Sequence, residues 1–248
     1  MAGESPATLF MLAKNIFQTH ESYQKLGTFE RVCLERWKLM NPEWNYRFTT
    51  NDEADVAVKE LFPDEYRVYE GFHLGAKNNI RRCALLHKHG GFYADLDMYP
   101  VKPLRDYLPT DRQRVLFKYD DRDMWLGGIL ASAAGDPVTL EVAREMINRL
   151  MSGQPAPDPS NREAWMGWHF DHCGVHVYNY VYRKHEKLED ALIGADSHPA
   201  YINIPVDDVK CLHLATGCWI PSQTKPSFEE QTTYELRMIE VAKEVFGI

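Results

Sequence analysis

The chain has 248 residues, 44% of them apolar and 26% charged, and 36 acids against 28 bases give a net charge of −8. A chain of that length and composition buries a core without staples, which excludes disordered, collagen-like and coiled-coil organisation for its bulk. The acidic balance excludes a general nucleic-acid binder, whose affinity rests on basic surface, and admits an anionic ligand only beside a cation or a local basic cluster.

The five cysteines (Cys33, Cys83, Cys173, Cys211 and Cys218) are odd in number and fit no disulfide framework. They read as reduced thiols of a cytoplasmic protein. Residues 1–14 have one short apolar patch and no basic stretch before it, so neither a signal peptide nor a membrane span is expected there. No other stretch approaches the roughly 18 apolar residues that spanning requires. The expectation is a single domain over residues 1–248.

In chain order, Asn15 to Thr19 reads as a short first strand. Phe29, Val32, Cys33, Trp37 and Met40 recur at helical spacing, and Asn41-Pro42 stops that helix. Trp44 to Phe48 alternates large and polar residues as a strand does. Thr50 with Glu53 forms a capping box, which predicts a helix from Asn51 to about Phe62, just before Pro63. A helix from about Ala76 to His89 ends at Gly90-Gly91, where glycine accepts the left-handed backbone of a helix terminus. Phe92 to Met98 reads as the next strand, with Val115–Tyr119 and Gly128–Ala131 as shorter ones. Asp136-Pro137 is an N-cap followed by proline at the first helical position. Leu140, Ala143, Ile147, Leu150 and Met151 make an amphipathic face behind it, and Ser152 to Asn161 is a proline- and glycine-rich surface loop. The aromatic-rich stretch Ala164–Tyr182 has no clear period. Ser227 with Glu230 is a second capping box, opening a helix toward Phe246. Alternating strands and helices predict an α/β fold with a mixed, mainly parallel sheet flanked by helices, and such sheets bind ligands at the carboxyl ends of their strands.

The segment after the double glycine carries the chemistry. On a continuous strand Phe92, Ala94, Leu96 and Met98 share a buried face, and Tyr93, Asp95 and Asp97 share the other. Two carboxylates about 6–7 Å apart on one face repel each other, and a divalent cation relieves that repulsion. Carboxylate oxygens suit Mn²⁺ or Mg²⁺, which keep positions open for water and for substrate phosphates. Upstream, Lys77, Arg81 and Arg82 form a basic cluster able to neutralise a diphosphate. Arg81 reads as part of the solvated helix face, and Arg82 as able to turn toward the sheet edge.

The run Lys77-Asn78-Asn79-Ile80-Arg81-Arg82, Leu85-Leu86, Gly90-Gly91, Tyr93, Asp95 and Asp97 resembles the core of the glycosyltransferases whose sugar-binding region contains a DXD motif. Members include yeast outer-chain mannosyltransferases, bacterial capsule transferases and, more distantly, the large clostridial glucosylating toxins. Asn15–His20, Trp44–Glu53 and the segment from Cys211 to Trp219 resemble its flanking parts. The resemblance implies a GT-A-like fold and a retaining, metal-dependent transferase moving a sugar from a UDP-hexose or GDP-mannose donor to a glycan or glycolipid acceptor. It implies Asp95, Asp97 and His213 at the metal, and Asp95, Asp97 and Arg82 as the catalytic set. Donor contacts would come from Gln18, Lys77, Asn79, Arg82, Tyr93, Asp95 and Trp219. Three departures stand out. Asn78-Asn79 replaces a frequent Ser-Asp, His20 replaces the first strand's tryptophan, and Cys218 replaces the serine before the late tryptophan.

Two other classes are compatible with the residues. One is a non-catalytic module that binds a nucleotide sugar or a glycan. The other is a zinc protein built on His169, His172, Cys173 and His176, whose spacing would place four ligands on one helix face, although Gly174 interrupts that helix. The acidic run Asp120, Asp121 and Asp123 reads as a solvated loop or as an acceptor-side loop.

Overall fold

The computed structural model describes residues 11–119, 125, 127–185, 191–194 and 210–213, and single helical positions at 237, 240, 243 and 244. The strands are β1 (Asn15–His20), β2 (Asn45–Thr50), β3 (Gly91–Ala94), β4 (Met98–Pro100), β5 (Arg114–Tyr119), β6 (Ile129–Ser132), β7 (Ala191–Gly194) and β8 (Cys211–His213). The helices are α1 (Thr28–Met40), α2 (Asn51–Leu61), α3 (Tyr66–Tyr69), α4 (Leu74–His89), α5 (Pro137–Ser152), α6 (Arg162–His172) and α7 (Val175–Lys184). Six strands form one sheet in the order β2-β1-β3-β6-β5-β7, and β4 pairs with β8 separately. Pairs β1–β2, β1–β3 and β5–β7 are parallel, while β3–β6 and β5–β6 are antiparallel. The sheet is thus mixed and mainly parallel, as the alternation of elements predicts.

Neighbouring residues on each strand serve opposite layers. Phe17, Tyr93, Leu116 and Leu130 pack with α2, α4, α5 and α7. Their chain neighbours Ile16, Phe92, Val115, Phe117, Ile129 and Ala131 pack with Trp37, Met98, Leu104 and Cys211 on the other side. This is the period-two alternation of a strand buried on both faces. The Trp37 indole N–H donates to the Met98 carbonyl at 2.9 Å, which ties α1 to β4.

The local signals place the elements well. The Thr50 hydroxyl accepts from the Glu53 backbone N–H at 3.2 Å, and the Glu53 carboxylate accepts from the Thr50 N–H at 2.7 Å. Gly90 and Gly91 have φ of +64° and +127°. A Cβ on Gly90 would lie 2.6 Å from the Ala134 nitrogen, and one on Gly91 would lie 2.5 Å from the Asn15 carbonyl oxygen. Only glycine meets both conditions, so the pair ends α4 and lets β3 dock beside β1. The aromatic stretch resolves into α6 and α7, broken at Cys173-Gly174. The Ser227–Glu230 box lies outside the described residues. No described helix is long and apolar enough to cross a membrane.

One expectation fails. The strand predicted from Phe92 to Met98 ends at Ala94, and Asp95 to Asp97 form a turn before β4. The ladder to β6 extends one bond further, with the Asp95 N–H donating to Gly128 O at 2.7 Å, and the chain then turns back on itself, with the Met98 N–H donating to Asp95 O at 3.0 Å. The two aspartates therefore project from a turn rather than from one strand face.

Asp136 is the most heavily bonded capping residue. Its fully buried carboxylate accepts from Arg114 Nε at 3.0 Å and Nη2 at 2.7 Å, from Thr139 N at 3.1 Å and from Thr139 Oγ1 at 2.7 Å. Burial works to raise its pKa, but Arg114 and Thr139 outweigh burial and hold it below the ordinary carboxylate value. Asp136→Ala is expected to lose about 2–4 kcal/mol in urea unfolding at pH 7, because it removes the N-cap of α5 and the charge-assisted hydrogen bonds that a fully buried carboxylate accepts. With a lowered folded-state pKa, this contribution is complete above the unfolded value near 4 and disappears as pH falls through the folded value. The gap between wild type and variant should therefore narrow in acid.

Candidate functional site

The site lies at the carboxyl end of β3, where a turn, a helix and a distant strand meet. From α4, Arg82 reaches the turn. Its Nη2 donates to Asp95 Oδ1 at 2.9 Å and Oδ2 at 3.1 Å, and its Nη1 donates to the Gly127 carbonyl. The guanidinium lies over the Tyr93 ring, 5.2 Å from its centroid. The Arg82 side chain is 6% exposed and that of Asp95 27%, so the pair is buried on the arginine side and open on the carboxylate side. The Arg82 Nε is buried with no hydrogen-bond partner among the described residues.

The backbone of the turn is held from β1 and β2. Gln18 is buried, donates from Nε2 to the Asp95 carbonyl at 3.1 Å and accepts from the Tyr46 hydroxyl at 2.7 Å. Both ends of its amide are thus engaged in positioning the turn. The Tyr93 hydroxyl pairs with Thr19 Oγ1 at 2.9 Å, beneath Arg82. Gly128 completes the wall, since a Cβ there would lie 2.9 Å from Asp95 Oδ2. A Cβ on Gly127 would lie 3.0 Å from the Tyr178 ring.

His213 arrives on β8, whose antiparallel register sets it opposite Met98. Its Nε2 stands 3.4 Å from Asp97 Oδ2. Burial raises the Asp95 pKa, Arg82 opposes that, Asp97 pushes it further up and His213 opposes again; the net shift is upward. A carboxyl raised in part by its neighbour marks two like charges close together, the situation that a cation relieves. Two ligand atoms bound at about 2.1 Å and roughly right angles lie about 3 Å apart, close to the spacing of Asp97 Oδ2 and His213 Nε2. The carboxylate oxygen suits Mn²⁺ or Mg²⁺, and the imidazole nitrogen favours Mn²⁺ of the two, since Mg²⁺ takes oxygen ligands. The residues therefore fit a divalent ion at Asp97 and His213, with Asp95 beside them.

The basic cluster of α4 is not a solvated face. Arg81, expected to point to water, is 3% exposed and donates from Nε and Nη2 to the two oxygens of Asp55 at 2.7 and 2.8 Å. Tyr69 donates to the same Asp55 carboxylate. Asp55 is on α2, 26 residues earlier, too far along the chain for a local pattern to signal the pairing. Lys77 lies over the Tyr69 ring at 5.7 Å. Asn79 donates to the Cys173 carbonyl at 2.7 Å, so it ties α4 to the α6–α7 junction.

The four ligands proposed for zinc do not converge. The His172 ring bonds to the Trp168 carbonyl at 2.8 Å, and His176 pairs with Asp171 at 2.7 Å. The helix break at Gly174 puts His176 on α7, and His172, although on α6, is engaged by the Trp168 carbonyl, while His169 and Cys173 meet His73 instead. Trp219, Cys218 and the acidic run at 120, 121 and 123 lie outside the described residues. The sequence reading missed Tyr46, Gly127 and Gly128; the last two carried a signal, a second double glycine just before a strand.

Residues 28–114 match the family described as glycosyltransferase sugar-binding region containing DXD motif. This stretch includes Lys77, Asn79, Arg82, Tyr93, Asp95 and Asp97, so the sequence resemblance holds over the central block. An uncharacterized glycosyltransferase of Acanthamoeba polyphaga mimivirus is 27% identical over 132 residues, which are 52% of this chain and 53% of that one. A putative glycosyltransferase of Saccharomyces cerevisiae is 26% identical over 136 residues, 46% of this chain and 33% of that one. The chain thus matches about half, or less, of the length of these curated relatives. Among solved structures, the UDP-bound glycosyltransferase domain from the YGT toxin aligns with a TM-score of 0.52 and 8% identity over 74% of this chain and 79% of that one. Its ligand-free form gives 0.50 at 10% identity, with 74% and 80% covered. The fold is GT-A-like, as the resemblance implies.

The tight wall beside Asp95 is testable. Gly128→Ala is expected to cost about 1–3 kcal/mol in thermal or urea unfolding, because the new methyl group displaces the Asp95 carboxylate. Gly167→Ala, where a Cβ meets nothing within 4 Å, should be neutral or stabilising by up to about 1 kcal/mol.

Proposed function

We propose, from a chain whose residues 28–114 carry the sugar-binding region of the DXD glycosyltransferases, that this protein is a metal-dependent glycosyltransferase acting on a nucleoside-diphosphate sugar. The observation that carries the reading is the pairing of Asp97 with His213 beside the Arg82–Asp95 pair, on one turn at the carboxyl end of β3. Asp97 and His213 hold a divalent cation, Mn²⁺ or Mg²⁺. When bound, that ion neutralises the diphosphate and the charge that builds on it as it leaves.

The remaining roles belong to the chain itself. Arg82 fixes the Asp95 carboxylate, the open side of the pair, and supplies positive charge behind it. Gln18 and Tyr93 act by holding the turn and the guanidinium rather than by touching the donor. Lys77, Asn79 and Trp219 complete the donor contacts in this reading, Asn79 through the amide oxygen that its bond to the Cys173 carbonyl leaves over. The donor is a UDP-hexose or GDP-mannose; the similar fold of a UDP-bound domain supports the first. The acceptor is a hydroxyl of a glycan or glycolipid, and the outcome is retention. In that scheme the hydroxyl oxygen attacks the anomeric carbon from the face that the diphosphate leaves. The bond from that carbon to the phosphate oxygen breaks, and the hydroxyl proton passes to the departing phosphate. Buried cysteines that form no disulfide, Cys33, Cys83, Cys173 and Cys211, support a cytoplasmic place of action.

Hydrolysis of UDP-hexoses and GDP-mannose, followed with and without Mn²⁺, tests the reading. The wild type should release nucleoside diphosphate only with the metal. Asp97→Asn should lower that release by about 100-fold or more, the scale of losing one electrostatic stabiliser of the transition state. Unchanged release in the variant, or none by the wild type with any of these donors, would contradict the proposal.

A further inference from the structure

A second cluster of ligating side chains lies on the other end of α4, away from the aspartates. His73 caps that helix, His169 sits in the last turn of α6, and Cys173 is the residue that ends α6. The Cys173 sulfur is 3.1 Å from His169 Nδ1 and 3.7 Å from His73 Nε2, and the three ligand atoms all lie within 4.8 Å of one another. We propose that His73, His169 and Cys173 form a metal site for zinc, with the sulfur bound as thiolate and water in the fourth position.

The geometry fits a tetrahedral ion. With Zn–S about 2.3 Å and Zn–N about 2.0–2.1 Å, a nitrogen-to-sulfur edge is about 3.5 Å, which the two observed edges bracket. One thiolate and two imidazoles are donors that zinc accepts, whereas Mn²⁺ and Mg²⁺ prefer the oxygen-rich site at the aspartates. Both rings ligate as neutral imidazoles, and because burial raises the Cys173 thiol, the thiolate forms only together with the ion. On binding, the Cys173 thiol gives its proton to solvent as the Zn–S bond forms. Ligation through His73 Nε2 puts the ring proton on Nδ1. The contact that Nδ1 now accepts from the Ala76 N–H is 3.4 Å long, too weak to hold the other tautomer.

The surroundings already orient the ligands. The Trp165 ring stacks on His169 at 5.5 Å and 9°, and meets His73 edge-on at 5.1 Å. The Cys173 backbone is fixed by the hydrogen bond from Asn79. The ion would clamp the α6–α7 junction to α4, the helix that presents Arg82. The site does not depend on the transferase reading, since sulfur ligation distinguishes it from the aspartates.

Full-length protein stripped with a chelator and titrated with Co²⁺, a spectroscopic substitute for zinc, tests the site. One equivalent should produce a thiolate-to-cobalt charge-transfer band in the near ultraviolet, and added Zn²⁺ should bleach it. The carboxylate site has no sulfur and cannot produce that band. Cys173→Ser should abolish it, and His73→Asn, which keeps a side chain suited to capping α4, should weaken Co²⁺ binding at least tenfold. Zn²⁺ should raise the thermal midpoint of the wild type more than that of His73→Asn, a comparison that stands even where Cys173→Ser does not fold. Absence of the band, its persistence at full affinity in His73→Asn, or an equal midpoint shift in the two proteins would overturn the proposal.

Discussion

The Arg82 guanidinium and the Asp95 carboxylate meet at 2.9 Å on the border between core and cleft, and the geometry around the cleft follows from keeping them together. A buried arginine deprived of its partner typically costs about 3–5 kcal/mol, so the surrounding structure is under strong constraint to present the carboxylate where it stands. Tyr93 supplies a ring face beneath the guanidinium, and Gly127 supplies a carbonyl beside it. Gly128 leaves the space that Asp95 Oδ2 occupies. The turn that bears Asp97 starts at this pair, so the position of the second aspartate is inherited from the first.

That dependence explains which features were legible in the sequence. The Thr50–Glu53 box, the Asp136-Pro137 helix start and the Gly90-Gly91 break involve residues next to or near one another in the chain, and each appears as expected. Alternation along Phe92, Tyr93 and Ala94 likewise sorted those side chains between two layers. The failures share the opposite property. The strand stops at Ala94 because the Asp95 carbonyl is taken by the Met98 N–H across the turn and by Gln18 from β1. Arg81 is buried because Asp55 waits on α2. The histidine that completes the cluster around Cys173 is His73, about a hundred residues earlier. Long-range partners of this kind leave no periodic trace.

The two halves of the candidate centre also differ in how they were found. Arg82, Asp95 and Asp97 fall inside the matched region at 28–114, where a dense motif carries its own context. His213 lies beyond it, and only the pairing of β4 with β8 brings its ring to Asp97. A carboxylate and an imidazole from segments far apart in sequence converge on one turn, an arrangement that packing alone does not require. The Asp95 carboxyl is raised first by burial and then by the neighbouring Asp97 charge, against the pull of Arg82.

The central claim is that Asp97 and His213 hold a cation that in turn holds a diphosphate. Anomalous diffraction from crystals grown with Mn²⁺ and UDP tests it most directly. The account predicts one manganese peak within about 2.3 Å of both Asp97 and His213 Nε2, with diphosphate oxygens completing its shell. A manganese peak elsewhere, or UDP bound with its phosphates turned away from these two side chains, would contradict it.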